Sequence, residues 1–240
     1  MGKGLNLRIC FSTISRVSQF PACLKACNAS SELISTPLFS YVVPNPVAFF
    51  PLNGIFGTRE IQDRAPEGIQ GEVHLAPGPN GHENGSFEFS GTSNSYIEFP
   101  NSAGGVLDAR YSITLLLWVS YNGQDGPLIQ YNTGAGGQWG LYLWSFVQGG
   151  LTGHFIRRNY QILQHIHLSN ALTSGEWKFV GYTYDYSSGE QKLWVDGVVV
   201  QASNVGSGNE MATQDSVRMG ARINDGGPLE AGSPKWEYTM

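Results

Sequence analysis

Two apolar, β-favouring runs meet at Asp196-Gly197 in Lys192-Leu-Trp-Val-Asp-Gly-Val-Val-Val200. Two residues that tolerate positive φ, set between such runs, specify a two-residue β-hairpin with a primed turn. No other stretch constrains the fold so tightly. The same grammar recurs upstream. Ser86-Phe-Glu-Phe-Ser alternates, with Phe87 and Phe89 on one face, and Tyr96-Ile-Glu-Phe-Pro does likewise. Tyr111-Ser-Ile-Thr-Leu-Leu-Leu-Trp-Val-Ser120 is apolar on both faces at its centre, as a strand covered on both sides would be. Val47–Leu52, Gly140–Trp144, Gly153–Arg157, Trp177–Asp185 and Val217–Gly220 complete about ten short strands separated by turn residues. The pattern predicts an all-β, two-sheet antiparallel sandwich.

Composition agrees. Charged residues are 14% against a usual ~25%, and there are 31 glycines and 29 aromatics. Helical bundles draw instead on Ala, Glu, Lys and Leu. The charge is uneven: residues 1–46 sum to +3 and residues 47–240 to −8. An acidic domain binds nucleic acid poorly, because phosphate must be met by clustered Lys and Arg. No apolar run reaches the ~18–20 residues of a membrane span, and Met1–Asn6 is not a secretory signal.

The first 46 residues read differently. Ser18 as N-cap and Pro21 in the first turn predict a short helix over residues 16–28. Cys23 and Cys27 share one of its faces, and Pro37, Pro44 and Pro46 mark a linker. Cys10, Cys23 and Cys27 are the only cysteines; an odd count leaves a free thiol, an intermolecular bridge or missing partners.

In order, Ala48–Gly54, Gly85–Gly91 with Ser95–Pro100, Tyr111–Val119, Gly175–Asp185 (G-E-W-K-F-V-G-Y-T-Y-D), Leu193–Gly197 (L-W-V-D-G) and Val217–Gly220 resemble the strand blocks of laminin G-like, concanavalin A-like lectin-type domains. The resemblance covers residues 47–222. It implies a jelly roll that binds glycans or matrix and cell-surface proteins through loops at its rim, in secreted or cell-surface proteins. It also implies a closing strand beside the opening one. Pro228–Met240 has two prolines and no β run, so that strand is expected to be missing and Val47–Leu52 to be an open apolar edge. Many members hold Ca²⁺ through an aspartate before the strand matching Gly140–Trp144. Here Gly137, Gln138 and Trp139 stand there, Gln138 offers one neutral oxygen, and no metal or other cofactor is assigned.

Val17-Ser-Gln-Phe-Pro-Ala-Cys-Leu-Lys-Ala-Cys27 is similar to the first helix of an apple (PAN) domain, which implies disulfide roles for Cys10, Cys23 and Cys27. The domain reading is therefore a partial apple-like segment and linker over 1–46 and a laminin G-like sandwich over 47–240. An extracellular or cell-surface location is expected, with an incomplete N-terminus accounting for the unseen signal.

Several constellations carry candidate chemistry. Trp118, Trp139, Trp144, Trp177 and Trp194 could stack on a sugar; Trp118, Trp177 and Trp194 lie within strand patterns and read as core, and Trp139, after a Gly-rich loop, is the better candidate. Arg157-Arg-Asn-Tyr160 is the densest basic spot in the acidic region; Arg157, Arg158 and Tyr160 could grip a carboxylate or sulfate, or simply end a strand in solvent. His165-Ile-His167, with His154 nearby, could bind Zn²⁺ or form a polar outer face opposite Ile162, Ile166 and Leu168. Asn28 and Asn84 begin glycosylation sequons. Glycoside hydrolysis needs two carboxylates across the scissile bond, and Glu88, Glu98, Asp185 and Asp196 are separated by strands or turns, with no catalytic residue assigned. The expectation is a non-catalytic recognition module for a glycan or matrix protein; the alternatives are a glycan-active hydrolase on the same fold and a structural domain without a ligand.

Overall fold

The computed structural model describes residues 5–12 (as backbone), 46–133 and 139–222. The helix expected over 16–28, with Cys23, Cys27 and Asn28, lies outside the described residues, as do Gln138 and Pro228–Met240. In chain order the strands are β1 (Leu5–Ser12), β2 (Ala48–Phe50), β3 (Ile69–Gln70), β4 (Val73–Ala76), β5 (Ser86–Phe89), β6 (Ile97–Phe99), β7 (Ile113–Ser120), β8 (Gly126–Asn132), β9 (Trp139–Phe146), β10 (Gly150–Phe155), β11 (Ile166–Leu168), β12 (Trp177–Tyr184), β13 (Glu190–Val195), β14 (Val198–Asn204) and β15 (Val217–Met219). All the pairings between them are antiparallel.

One sheet runs β14-β13-β12-β7-β1-β5-β4, with β2 also on β1; the other runs β11-β10-β9-β8-β15-β6-β3. Alternate residues face the space between them. Leu115, Leu117, Val119, Val180, Tyr182, Tyr184 and Leu193 come from the first sheet, and Ile129, Tyr131, Leu141, Leu143, Leu151, Phe155 and Met219 from the second. Each fully buried Leu, Ile or Phe contributes about 1.5–3 kcal/mol. The sheets approach so closely that a Cβ on Gly153 would stand 2.2 Å from the Tyr182 ring. The Asp196-Gly197 turn has positive φ at both residues, 49° and 83°, as a type I′ hairpin requires.

The alternation that buries Leu115, Leu117 and Val119 turns Trp118 to the opposite face, where it is half-buried against Phe179 at 5.3 Å. Trp177 and Trp194 likewise stand outside the inter-sheet core; Trp194 is buried and donates to Thr183 Oγ1 at 3.0 Å. The reading as core is corrected for Trp118 and Trp177, which are half-buried, whereas Trp194 is buried as expected, on the outer side of its sheet.

The expected open edge is also corrected. Strand β1 lies between β7 on one side and β2 and β5 on the other. Its register sets Leu7, Ile9 and Phe11 opposite the buried Val119, Leu117 and Leu115. The far side of β2 is capped by Glu60. The Phe49 N–H donates to Glu60 Oε1 at 2.9 Å, and Ile61 N–H donates to the Phe49 carbonyl at 3.0 Å. The same carboxylate accepts from the Gln62 and Arg64 N–H groups at 2.8 and 2.9 Å and from Arg64 Nη2 at 2.8 Å. Burial alone would raise its pKa; these hydrogen bonds outweigh burial and hold it at about 2.

Candidate functional site

Strand β9 reads Trp-Gly-Leu-Tyr-Leu-Trp-Ser-Phe. Leu141 and Leu143 enter the core, so Tyr142, Trp144 and Phe146 share the opposite face. With Trp139 they form a row: ring centroids are 4.6 Å apart for Trp139–Tyr142, 5.6 Å for Tyr142–Trp144 and 6.2 Å for Trp144–Phe146. Gly140 has no room for a side chain, since a Cβ there would lie 1.7 Å from the Ala212 carbonyl oxygen.

The neighbouring strands add polar groups. Leu151 and Phe155 of β10 point into the core, leaving Thr152 and His154 on the aromatic side. The His154 ring lies 4.4 Å from Trp139 and 5.7 Å from His165. Its Nε2 meets the Leu163 carbonyl at 2.6 Å and its Nδ1 the Tyr142 hydroxyl at 3.2 Å. A carbonyl can only accept, so Nε2 carries the hydrogen and Nδ1 accepts from Tyr142. Burial is the main cause that lowers the His154 pKa to about 4, so the ring is neutral. Beyond it, Thr152 Oγ1 and His167 Nδ1 share a 2.7 Å hydrogen bond, and burial together with His165 lowers the His167 pKa. Trp144 Nε1 donates to Asp125 Oδ1, whose pKa burial raises, and the Arg222 guanidinium stands 4.8 Å from the Trp144 ring centre. Farther across the same sheet, Arg218 stacks on Tyr96 at 4.1 Å and bonds Glu98 at 2.8 Å.

Exposure sorts this face. Tyr142 and Trp144 are 9% and 7% exposed, so they act as a floor. Trp139 and Phe146 are half-buried at the two ends, and His165 and His167 are exposed. Aromatic faces offer C–H stacking to a sugar ring, and imidazole and hydroxyl groups beside them offer hydrogen bonds to its hydroxyls.

Of the residues singled out in the sequence, Trp139, Trp144, His154, His165 and His167 come together here. The expected outer face for the histidines holds for Ile166, which is buried opposite them; Leu168 is half-buried, and Ile162 is exposed rather than turned inward. Arg157, Arg158 and Tyr160 turn elsewhere. Arg157 Nε donates to Asn209 at 2.5 Å. Arg158 forks onto Asp108 at 2.9 and 2.8 Å, and that carboxylate also takes the Gly104 N–H and the Thr213 hydroxyl. Tyr160 is exposed, in a turn with φ of 66°. Asn84 is exposed before β5, while the Ser86 hydroxyl of its sequon bonds the Ala76 and Pro77 carbonyls. Cys10 opposes Leu116 in the β1–β7 ladder. Tyr142, Phe146 and Asp125 were not singled out; the period-2 pattern of β9 was the signal for the first two.

A laminin G family model, described as "Concanavalin A-like lectin/glucanases superfamily", matches residues 90–232. No curated protein matches the sequence. Among solved structures, the botulinum neurotoxin serotype G binding domain superposes with a TM-score of 0.52 at 14% identity, over 69% of this chain and 41% of that one. The serotype D binding domain gives 0.52 at 16% identity, over 69% and 40%. The serotype D ligand-binding domain in complex with N-acetylneuraminic acid gives 0.51 at 14%, over 69% and 41%. The chain thus spans about two fifths of the toxin domains it matches. These likenesses show a shared fold, in structures described as binding domains.

Proposed function

The chain belongs to the concanavalin A-like lectin/glucanases superfamily, and on that premise we propose that it is a non-catalytic recognition module whose ligand is a glycan. The observation that carries this reading is the aromatic row of β9, with Trp139 and Phe146 open at its ends and His165 and His167 beside it. A sugar ring would stack on Trp139, where the nearby His154 is held neutral as a fixed donor to Leu163. One toxin domain of this fold is described in complex with N-acetylneuraminic acid, which makes acidic sugars one class to test. Arg222 and the histidines are the groups on this face that would meet a carboxylate.

The extracellular or cell-surface setting, glycosylation at Asn84 and an apple-like role for residues 17–27 are parts of the same proposal, residues 5–12 belonging to the sandwich as β1. Arg157, Arg158 and Tyr160 would serve a second contact at the rim. Arg158 does so only while Asp108 holds it, as a positioned rather than a free cation.

The test is a glycan array on the folded chain, followed by calorimetry with the best ligand and with Trp139→Ala. Loss of an aromatic platform is expected to weaken binding at least about tenfold, in line with ~1–3 kcal/mol per stacked ring, while the unfolding midpoint stays within a few degrees. Unchanged affinity in Trp139→Ala overturns the assignment of the face. Release of reducing sugar from any bound glycan overturns the non-catalytic reading in favour of a hydrolase.

A further inference from the structure

We propose that β1 is exchangeable between copies: the slot between β7 and the β2–β5 side takes the Leu5–Ser12 strand of a second copy of this chain. The slot is two-sided. Residues 6–12 pair with β7 at seven register positions, while Ile9–Phe11 pair with β2 and Leu5–Leu7 with β5. Main-chain hydrogen bonds on both edges hold a strand by its backbone, whichever chain it comes from.

The connection does not oblige β1 to stay with its own sheet. Phe11 and Ala48 are register partners, yet residues 13–45 separate β1 from the segment that leads into β2. Extended, that length spans on the order of 100 Å, against the few ångströms it has to bridge. A second copy supplies the identical strand in the identical register, so exchange requires no new interface. The tether sets the balance. Because the chain's own strand and a second copy's compete for one slot, the fraction exchanged is expected to rise with concentration.

Register makes exchange measurable. Cys10 faces Leu116 across the ladder, and paired Cα atoms in antiparallel strands lie about 4.5–5.5 Å apart, within disulfide reach. All chains carry Cys23→Ser and Cys27→Ser. A donor keeps Cys10 and Leu116; an acceptor carries Cys10→Ser with Leu116→Cys; a control carries Cys10 with Leu116→Cys in one chain. Oxidised glutathione takes up the two electrons and protons of each bridge. Because Leu116 is fully buried, the experiment is repeated at the half-buried Ser120, which opposes Asn6, with Asn6→Cys in the donor and Ser120→Cys in the acceptor, both in Cys10→Ser chains.

The expected result is an intrachain bridge in the control and a donor–acceptor covalent dimer whose yield scales with concentration. Acceptors bearing Val198→Cys, at an exposed site outside the ladder, are expected to give a yield at least fivefold lower. A control that bridges while the mixture yields no dimer overturns exchange. So does a control that never bridges, because β1 is then not in the slot, and so does an equal dimer yield with Val198→Cys.

Discussion

Replacing Glu60 by Gln removes a charge whose contribution can be worked from its surroundings. The side chain is fully buried and accepts four hydrogen bonds, from the Phe49, Gln62 and Arg64 N–H groups and from the Arg64 guanidinium. Its carboxyl sits at about 2 against 4.5 for the free group, a difference that corresponds to about 3 kcal/mol between the ionised and protonated forms. The folded value lies below the unfolded one, so this stabilisation is complete above about pH 4.5 and is lost as the pH falls toward 2. Gln keeps one acceptor oxygen and turns an amide N–H toward donors, which leaves backbone groups unsatisfied. Glu60→Gln is therefore expected to lower Tm at pH 7 by about 6–12 °C for a domain of this size. The gap from wild type should narrow as the pH is taken from 4.5 to 2.5. Calorimetric melts of both proteins across that range test the reasoning. A drop below about 2 °C at pH 7, or a gap that does not depend on pH, would refute it.

Arg158→Ala leaves the Asp108 carboxylate, 3% exposed, with only the Gly104 and Thr213 donors, and should cost about 3 kcal/mol in urea unfolding; a loss under about 0.5 kcal/mol would contradict this. His154, with its pKa near 4, is expected to titrate by NMR with a midpoint at least two pH units below an ordinary histidine. The stability tied to its neutral form is present above pH 6.5 and declines from there toward pH 4; a midpoint near 6.5 would show that the ring is not held neutral. Gly140→Ala should lower Tm by more than about 6 °C, because its Cβ would overlap the Ala212 carbonyl, and an unchanged melt would mean that β9 does not sit against that loop.

What could be read in the sequence follows from how much each strand repeats a period. The Asp196-Gly197 hairpin, β5, β7, β12 and β15 were legible because alternation or turn chemistry spans the whole element. β8 was not, since Gly126-Pro127 at its start reads as a turn, although proline is tolerated at the beginning of a strand. β3 and β4 are too short, and too exposed, to leave a pattern. β1 was not legible although Leu5, Leu7, Ile9 and Phe11 alternate with Asn6, Arg8, Cys10 and Ser12; the stretch reads as an apolar run too short for a secretory signal, broken by Ser12, Thr13 and Ser15. At the candidate site, Trp139 and the histidines stood out by residue type. Tyr142 and Phe146 were hidden, because an apolar residue on a strand reads as core until the sheet's inner side is known. Arg157 and Arg158 stood out as charge, but sequence could not say that Asn209 and Asp108, some fifty residues away in each case, already hold them.

The place of β1 has a consequence for synthesis. Leu5–Ser12 leaves the ribosome about a hundred residues before β7, the neighbour with which it shares most of its ladder. At translation speeds of roughly 5–20 residues per second, that is a wait of about 5–20 s. Through that interval an apolar, alternating peptide has its β7-facing edge unpaired in a crowded cell, and its other edge until β2 and β5 emerge. A chain built this way should fold late and slowly, with its last step set by the pairing of β1 with a strand made about a hundred residues later. Its yield should respond to holdase chaperones that bind extended apolar peptides as they emerge.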